Sequence, residues 1–253
     1  MIGPTTDSLG WRRKFGVIAP STNTSVQPEF DGMRPAGVTN HFSRIRIPNM
    51  KITSDDEFSA LMDAIRDTIM DAVDSVMSSE PDYLVMGMSA ETFWDGLEGS
   101  VELEKRIEAR AGVKVAMGSD ACRAALRTLG PDIRRIAVIT PYQPIGDRQV
   151  IRFFNDCGYE VAALKGLKCE SPVAIAHVSE RTLRDAIIEL NDPSVDAIVQ
   201  VGTNLAMARL AAVAEFWLDK PVIAINTATY WWALRQNGIM DRVQGFGALL
   251  EKH

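Results

Sequence analysis

Cysteine and histidine are scarce in this chain of 253 residues, with three of each. Cys122, Cys157 and Cys169 form an odd set without close pairing. That excludes a disulfide framework and a zinc-type ligand spacing, and it points to a reducing compartment. His41, His177 and His253 are scattered, and no metal motif links them. Positive charge is not in excess: the formal net charge is −6 and the sequence pI is near 5.2. The basic stripe with which a general nucleic-acid binder displaces counterions is therefore missing. The short clusters Arg12-Arg13-Lys14 and Arg134-Arg135 each precede an apolar run and read as solvated strand starts. No apolar run reaches membrane-spanning length, and the opening MIGPTTDSLGWRRKFG is too polar for a signal peptide. These absences predict a cytoplasmic protein with no metal, no nucleic-acid partner and no membrane contact.

What is present is an ordinary soluble composition, 46% hydrophobic and 24% charged, long enough for one large domain or two small ones. Strand-like apolar runs alternate with helix-like stretches, the pattern of a parallel α/β architecture. Strands are predicted at 15–19, 41–47, 82–88, 113–117, 135–140, 159–164, 196–201 and 221–225. Helices are predicted at 55–79, 100–110, 120–129, 146–157, 179–190, 205–218 and 229–237, with Ser100 and Ser179 as start signals. Eight such units are compatible with one closed barrel. Internal repetition favours two pseudo-equivalent halves. GVIAPSTNTSV (16–26) resembles AVITPYQPIGD (137–147), and PDYLVMGMSAET (81–92) resembles VDAIVQVGTNLA (195–206). GVKVAMGSDACRAALRTLG (112–130) resembles DKPVIAINTATYWWALRQNG (219–238), in the same order in both halves.

Ligands of open parallel sheets sit beyond the carboxyl ends of the strands. Two similar sheets facing one another aim those ends at one cleft. The residues so aimed are Ser21, Thr22, Asn23 and Tyr142; Ser89, Thr203 and Asn204; and Ser119, Asn226 and Thr227. Nearly all are short neutral hydrogen-bond donors, and the helix N-termini that follow add backbone N–H groups. The ensemble suits a small anion, above all a carboxylate. Taken singly, each residue reads equally well as an N-cap or turn residue.

Several of these segments are similar to those of a known family. GVIAPSTNTSVQPEF resembles the first-strand motif of maleate cis-trans isomerases, VITPY their tyrosine-bearing strand, and DAIVQVGTNLAM their segment ending in Cys-Thr-Asn-Leu. MGMSAETFWDG lines up on the first reactive strand in a form close to that of arylmalonate decarboxylase. The resemblance runs from about residue 13 to residue 250 and is to the aspartate/glutamate racemase superfamily, in its maleate isomerase and arylmalonate decarboxylase branch. It implies two pseudo-symmetric α/β domains with parallel sheets and a ligand cleft between them. The first domain would span 1–110 plus 223–253, the C-terminal segment crossing back, and the second 111–222. It also implies cofactor-independent chemistry on a small mono- or dicarboxylic acid. The family's two cysteine positions fall at Met88 and Gly202, so cysteine-dependent isomerisation and two-base racemisation do not carry over. Carboxylate recognition does, through Asn23, Tyr142, Ser89 and Asn204, with Ser171 where isomerases place a substrate-contacting asparagine.

Glu91, beside the vacated first position and flanked by Phe93 and Trp94, is the candidate proton donor or acceptor, its pKa raised by desolvation. A first-turn glutamate favoured by the helix dipole is the plainer reading of the same residue. Tyr142 is a second acid, suited to donating to developing oxyanion charge. Gly202, with Gly87 opposite, is expected to leave an opening for a larger acid or a water. Tyr230, Trp231 and Leu234 are read as core, an oligomer interface or a cleft wall. The predicted activity is isomerase or decarboxylase-type lyase, with Glu91 and Tyr142 catalytic, and Ser21, Asn23, Met88, Ser89, Ser171, Gly202, Thr203 and Asn204 binding the acid. A catalytically silent carboxylate sensor and a hydrolase using Glu91 and a water remain as alternatives. A homo-oligomer is expected.

Overall fold

The computed structural model describes residues 7–253. The first part of the polar opening, residues 1–6, lies outside the described residues. All eight expected strands form, and they make two open sheets rather than a barrel. In the first sheet β1 (Arg13–Pro20), β2 (Val38–Ile45), β3 (Tyr83–Met86) and β4 (Val115–Ala116) run parallel in the order β2-β1-β3-β4. In the second, β5 (Arg135–Thr140), β6 (Glu160–Gly166), β7 (Ala197–Gln200) and β8 (Val222–Ala224) run parallel in the order β6-β5-β7-β8. The repeated order realises the internal repetition of the sequence. Val17 sits in register between Phe42 and Val85, and its counterpart Val138 between Leu164 and Val199. Helices cover both faces of these central strands, which is why they read as continuous apolar runs and not as alternating ones.

The helices are α1 (Val26–Met33), α2 (Asp55–Met77), α3 (Gly96–Ala111), α4 (Gly118–Leu129), α5 (Pro144–Asp156), α6 (Glu180–Leu190), α7 (Ala208–Leu218), α8 (Ile225–Gln236) and α9 (Ala248–Lys252). Ser54 caps α2, its hydroxyl accepting from Glu57 N, and three acidic residues fill the positive end of that helix. Ser179 caps α6 in the same way through Thr182 N, as its sequence signal predicts. Ser100 does not start α3. That helix begins at Gly96, after Asp95 in a left-handed conformation, and Ser100 faces inward with its hydroxyl 2.7 Å from that of Ser119. Helices α1 and α9 were not expected. Each is too short for a 3.6-residue repeat to declare itself, and α1 carries Pro28 in its first turn.

The end of the chain returns to the first sheet. Helix α8 follows β8 of the second sheet yet packs on β3, β4 and α1. Tyr230 is fully buried there, its ring 5.9 Å from Phe15 and 5.0 Å from Phe30, its hydroxyl donating to Asn40 Oδ1 at 3.0 Å. It is core, not a cleft wall; truncating such a side chain costs about 3–5 kcal/mol. Arg12 forms a two-pronged pair with Asp241, and Arg13 donates to Asn237 Oδ1, fastening the returning segment to the start of β1. Among the described residues, no helix is long and apolar enough to cross a membrane.

Candidate active site

Strand β3 stops at Met86 and β7 at Gln200, and each is followed by one more ladder bond in a matching position. Gly87 N donates to Ile18 O at 2.7 Å, and Val201 N to Ile139 O at 3.0 Å. The next residues turn out of the sheets and meet. Ser89 Oγ accepts from Thr203 N at 3.2 Å and from the Tyr142 hydroxyl at 2.6 Å. The Tyr142 hydroxyl also lies 3.0 Å from Val201 O. Asn23 Nδ2 donates to Thr203 Oγ1 at 3.2 Å, while its Oδ1 accepts from Ser25 N and Val26 N and so caps α1. Asn204 reaches the other way: its Oδ1 accepts from Thr24 N at 3.0 Å, and its Nδ2 donates to Pro172 O at 3.0 Å. Asn23, Ser89, Tyr142, Thr203 and Asn204 are all buried. Six of the ten sequence-predicted residues thus converge, counting Met88, whose side chain lies in the same wall.

Five of these six residues, all but Thr203, border one small cavity. Its polar end is formed by Thr22, Asn23, Ser89, Tyr142 and Asn204. Its remaining wall is apolar: Phe58, Leu61 and Ile65 from one stripe of α2, with Ile47, Ile52, Met88 and Ile175. No Asp, Glu, Lys, Arg or His lines it. Burial pushes the Tyr142 phenol well above its usual pKa, so it stays a donor at neutral pH. Because Ser89 Oγ accepts two bonds, its own proton is left to donate into the cavity. The roof is made by two loops that lock together. Ile52 N donates to Glu170 O at 2.7 Å, Gln143 Nε2 to Ile52 O at 2.7 Å, and Val173 N to Asn49 Oδ1 at 3.2 Å.

Four predicted residues lie elsewhere. Glu91 is buried in the short turn Ala90–Phe93, but its carboxylate faces α2, where Oε1 accepts from Arg66 Nε at 2.7 Å. It does not line the cavity. Burial raises its pKa, as its aromatic neighbours foretell, against the lowering effect of Arg66, and Oε2 is left without a partner. Arg66 in turn stacks over Trp94 at 5.3 Å. Ser21 is turned outward and exchanges hydrogen bonds with Ile47 N and O. Ser171 caps the short turn Ala174–His177 by accepting from Ala174 N. Gly202 opens nothing: a Cβ there would stand 2.6 Å from Pro141 Cδ, and one on Gly87 would stand 2.9 Å from Val26 Cγ1. The space expected beside both glycines is filled by neighbouring side chains.

Two further groups stand near the site. Cys169 lines the cavity just past the end of β6, its backbone N–H donating to Pro141 O at 2.9 Å. Burial pushes its thiol up to about 11, so it is protonated at neutral pH. The strand-end rule that singled out Ser89 and Asn204 would have found it had it been applied to β6 as well. Asp147, one turn into α5, accepts from the Thr140 hydroxyl, which itself accepts from Tyr142 N. Burial raises Asp147 to about 6.

Comparisons with known proteins agree with the fold. A model of the arylmalonate decarboxylase family matches residues 15–250. A maleate isomerase of Pseudomonas putida is 27% identical over 258 residues, covering 94% of this chain and 96% of its own length. A Nocardia farcinica maleate cis-trans isomerase, solved as a cysteine-to-serine mutant with a covalently bound succinylcysteine intermediate, superimposes with a TM-score of 0.85 at 21% identity, covering 95% of this chain and 99% of that one. The crystal structure of arylmalonate decarboxylase gives 0.75 at 20% identity, covering 94% and 98%.

Proposed function

The chain belongs to the arylmalonate decarboxylase family, and on that premise we propose that it is a cofactor-independent isomerase or carboxy-lyase acting on a small carboxylic acid. The observation that carries this reading is the meeting of Ser89 from one half with Tyr142 and Thr203 from the other, at the polar end of an otherwise apolar cavity. A bound carboxylate would accept from Ser89 Oγ, which the Tyr142 hydroxyl backs by donating to it, with Asn23, Thr203 and Asn204 holding the two strand ends together. The reaction makes an enediolate-like species, and neutral donors in a low-dielectric pocket stabilise such charge without reorganising. With no ionised side chain in the lining, the apolar stripe of α2 favours an acid carrying an apolar substituent over a compact dicarboxylate. Met88 and Gly202 stand at the family's cysteine positions, so the proton is moved by Tyr142 or by a water. Glu91 acts through Arg66 to hold the turn bearing Ser89, as a positioning residue. The hydrolase alternative needs Glu91 in the cavity, whereas its carboxylate faces Arg66.

The working unit on this reading is two halves; β4 pairs with β3 in the first sheet, so the boundary expected at residue 110 moves beyond α4, and the packing of α8 on β3 and β4 supports the return of the C-terminal segment to the first half. The chain is assigned to the cytoplasm on its three unpaired thiols and forms a homo-oligomer. A panel of small carboxylic acids, with and without apolar substituents, tests the function by thermal stabilisation and by NMR of products. Conversion of at least one acid, lost in Tyr142→Phe, is expected. Stabilisation without any product would identify the sensor alternative instead, and neither effect from any acid would overturn the proposal.

A further inference from the structure

Strands β1 and β5 occupy the same place in the two halves, and their ends are built from different chemistry. After β1, Ser21 N stays on the ladder and donates to Ile45 O at 2.8 Å, with the side chain turned outward to Ile47. After β5 the residue in the same place is Tyr142, whose N–H donates instead to Thr140 Oγ1 at 3.3 Å. Its side chain reaches Ser89 in the cavity floor. Leaving the ladder is what carries the phenol into the site.

Four differences between the halves accompany that departure. Thr140 stands where the first half has Ala19, and Asp147 where it has Val26. Gly146 stands where it has Ser25, and Gly166 pairs with Thr140 where Arg44 pairs with Ala19. Ala19 and Val26 are fully buried and both approach Gly87, so the joint between strand and helix is apolar there. In the second half the joint is polar, the Thr140 hydroxyl donating to Asp147 Oδ1. Gly166 leaves room for the carboxylate, since a Cβ at that position would collide with Asp147 Oδ2. A Cβ on Gly146 would stand 2.8 Å from Tyr142 Cβ, so that glycine lets the tyrosine lie close over the start of α5.

Burying a carboxyl in place of a valine costs stability, and the first half shows that the joint closes without one. The carboxylate supplies direction instead. When ionised it only accepts, so it draws the Thr140 proton to itself and leaves Oγ1 free to accept from Tyr142 N. The other charged groups around Asp147 are Lys168, Arg148 and Asp55, and Arg148 is itself paired with Asp55. We propose that Asp147, acting through Thr140, is the positioning residue that holds Tyr142 off the ladder and against Ser89, a role that rests on the isomerase or carboxy-lyase reading above.

The test moves the apolar joint of the first half into the second, as the double variant Thr140→Ala with Asp147→Val. Replacing both partners of a buried bond by apolar groups is close to neutral, so the variant should melt no lower than the wild type. Its kcat for a converted acid should nevertheless fall about tenfold or more, with KM little changed, because a displaced donor misses the reacting group. Asp147→Asn keeps an acceptor for Thr140 and should hold kcat close to the wild-type value. Should the double variant not fold, Thr140→Val and Thr140→Ser take its place, and only the serine, which retains the hydroxyl, should keep kcat. Wild-type kcat in the folded double variant or in Thr140→Val overturns the proposal, and so does a loss in Asp147→Asn as deep as in the double variant. If the wild type converts no acid, the functional reading falls, and the protection of the Tyr142 amide against hydrogen exchange, read by NMR, decides the placement by itself. That protection should be lower in the double variant than in the wild type, and equal protection overturns the proposal.

Discussion

Ser89 and Thr203 occupy the same position in the two halves, each the third residue past the end of its strand, and they touch: Thr203 N donates to Ser89 Oγ at 3.2 Å. Matching ends of two separate sheets therefore form one polar floor. The third member is Tyr142 from the end of β5, and its hydroxyl is the most exacting contact of the three at 2.6 Å.

Tyr142→Phe removes the proton that Ser89 Oγ accepts, and with it the hydroxyl that lies 3.0 Å from the Val201 carbonyl. The lost bonds should cost about 1–3 kcal/mol of stability, read from denaturant midpoints. Turnover of a converted acid should fall about 100-fold or more, with kcat affected more than KM, since the donor is most needed as negative charge develops.

Glu91→Gln should reduce turnover by less than about tenfold, whereas removal of a general acid or base costs about 100-fold to 10,000-fold. The glutamine oxygen can still accept from Arg66, so the turn carrying Ser89 keeps its place. A steady-state kcat measurement separates the two outcomes.

Asp147 carries a pH signature. A carboxyl whose pKa is raised by folding binds more protons in the native than in the unfolded state between the two values, so its contribution to stability falls as pH rises through about 6. Asp147→Asn should remove that fall. The variant should gain on the wild type as pH rises from acid toward neutral, and the gain should level off above about 6. Chemical denaturation at a series of pH values checks this.

Cys169, held protonated to about 11, should react slowly with iodoacetamide at neutral pH and faster with each unit toward that value. A bound carboxylic acid should shield it, since its thiol lines the cavity. Mass spectrometry of the labelled peptide reads both effects, and Cys169→Ser should retain turnover.

Placing a thiol at the second strand end should be poorly tolerated. Gly202→Cys sets a Cβ against the Pro141 ring, 2.6 Å from Cδ, and overpacking of this kind costs about 1–3 kcal/mol. Met88→Cys, at a buried position that lines the cavity, should be the better tolerated of the two by thermal melting.

The eight strands, the two pseudo-equivalent halves and the polar floor were legible because they rest on local signals: apolar runs, prolines that stop β1 and β5, and short hydroxyl or amide residues just beyond strand ends. What was not legible depends on side-chain direction. Glu91 and Ala90 are neighbours in sequence, yet Ala90 borders the cavity and Glu91 turns away to Arg66 on α2, a partner twenty-five residues distant. Gly202 read as open because sequence does not reveal that Pro141 would fill its side-chain space. Phe58, Leu61 and Ile65 announced an amphipathic helix, but the same spacing serves a core and a cavity wall alike.

The interlocked roof binds the two halves together over the cavity. Residues 49–52 of one half and 143 and 170–173 of the other are joined by hydrogen bonds. A substitution that frees one of these loops therefore frees both, and damage to the roof in either half is felt as lost order on both sides of the cleft.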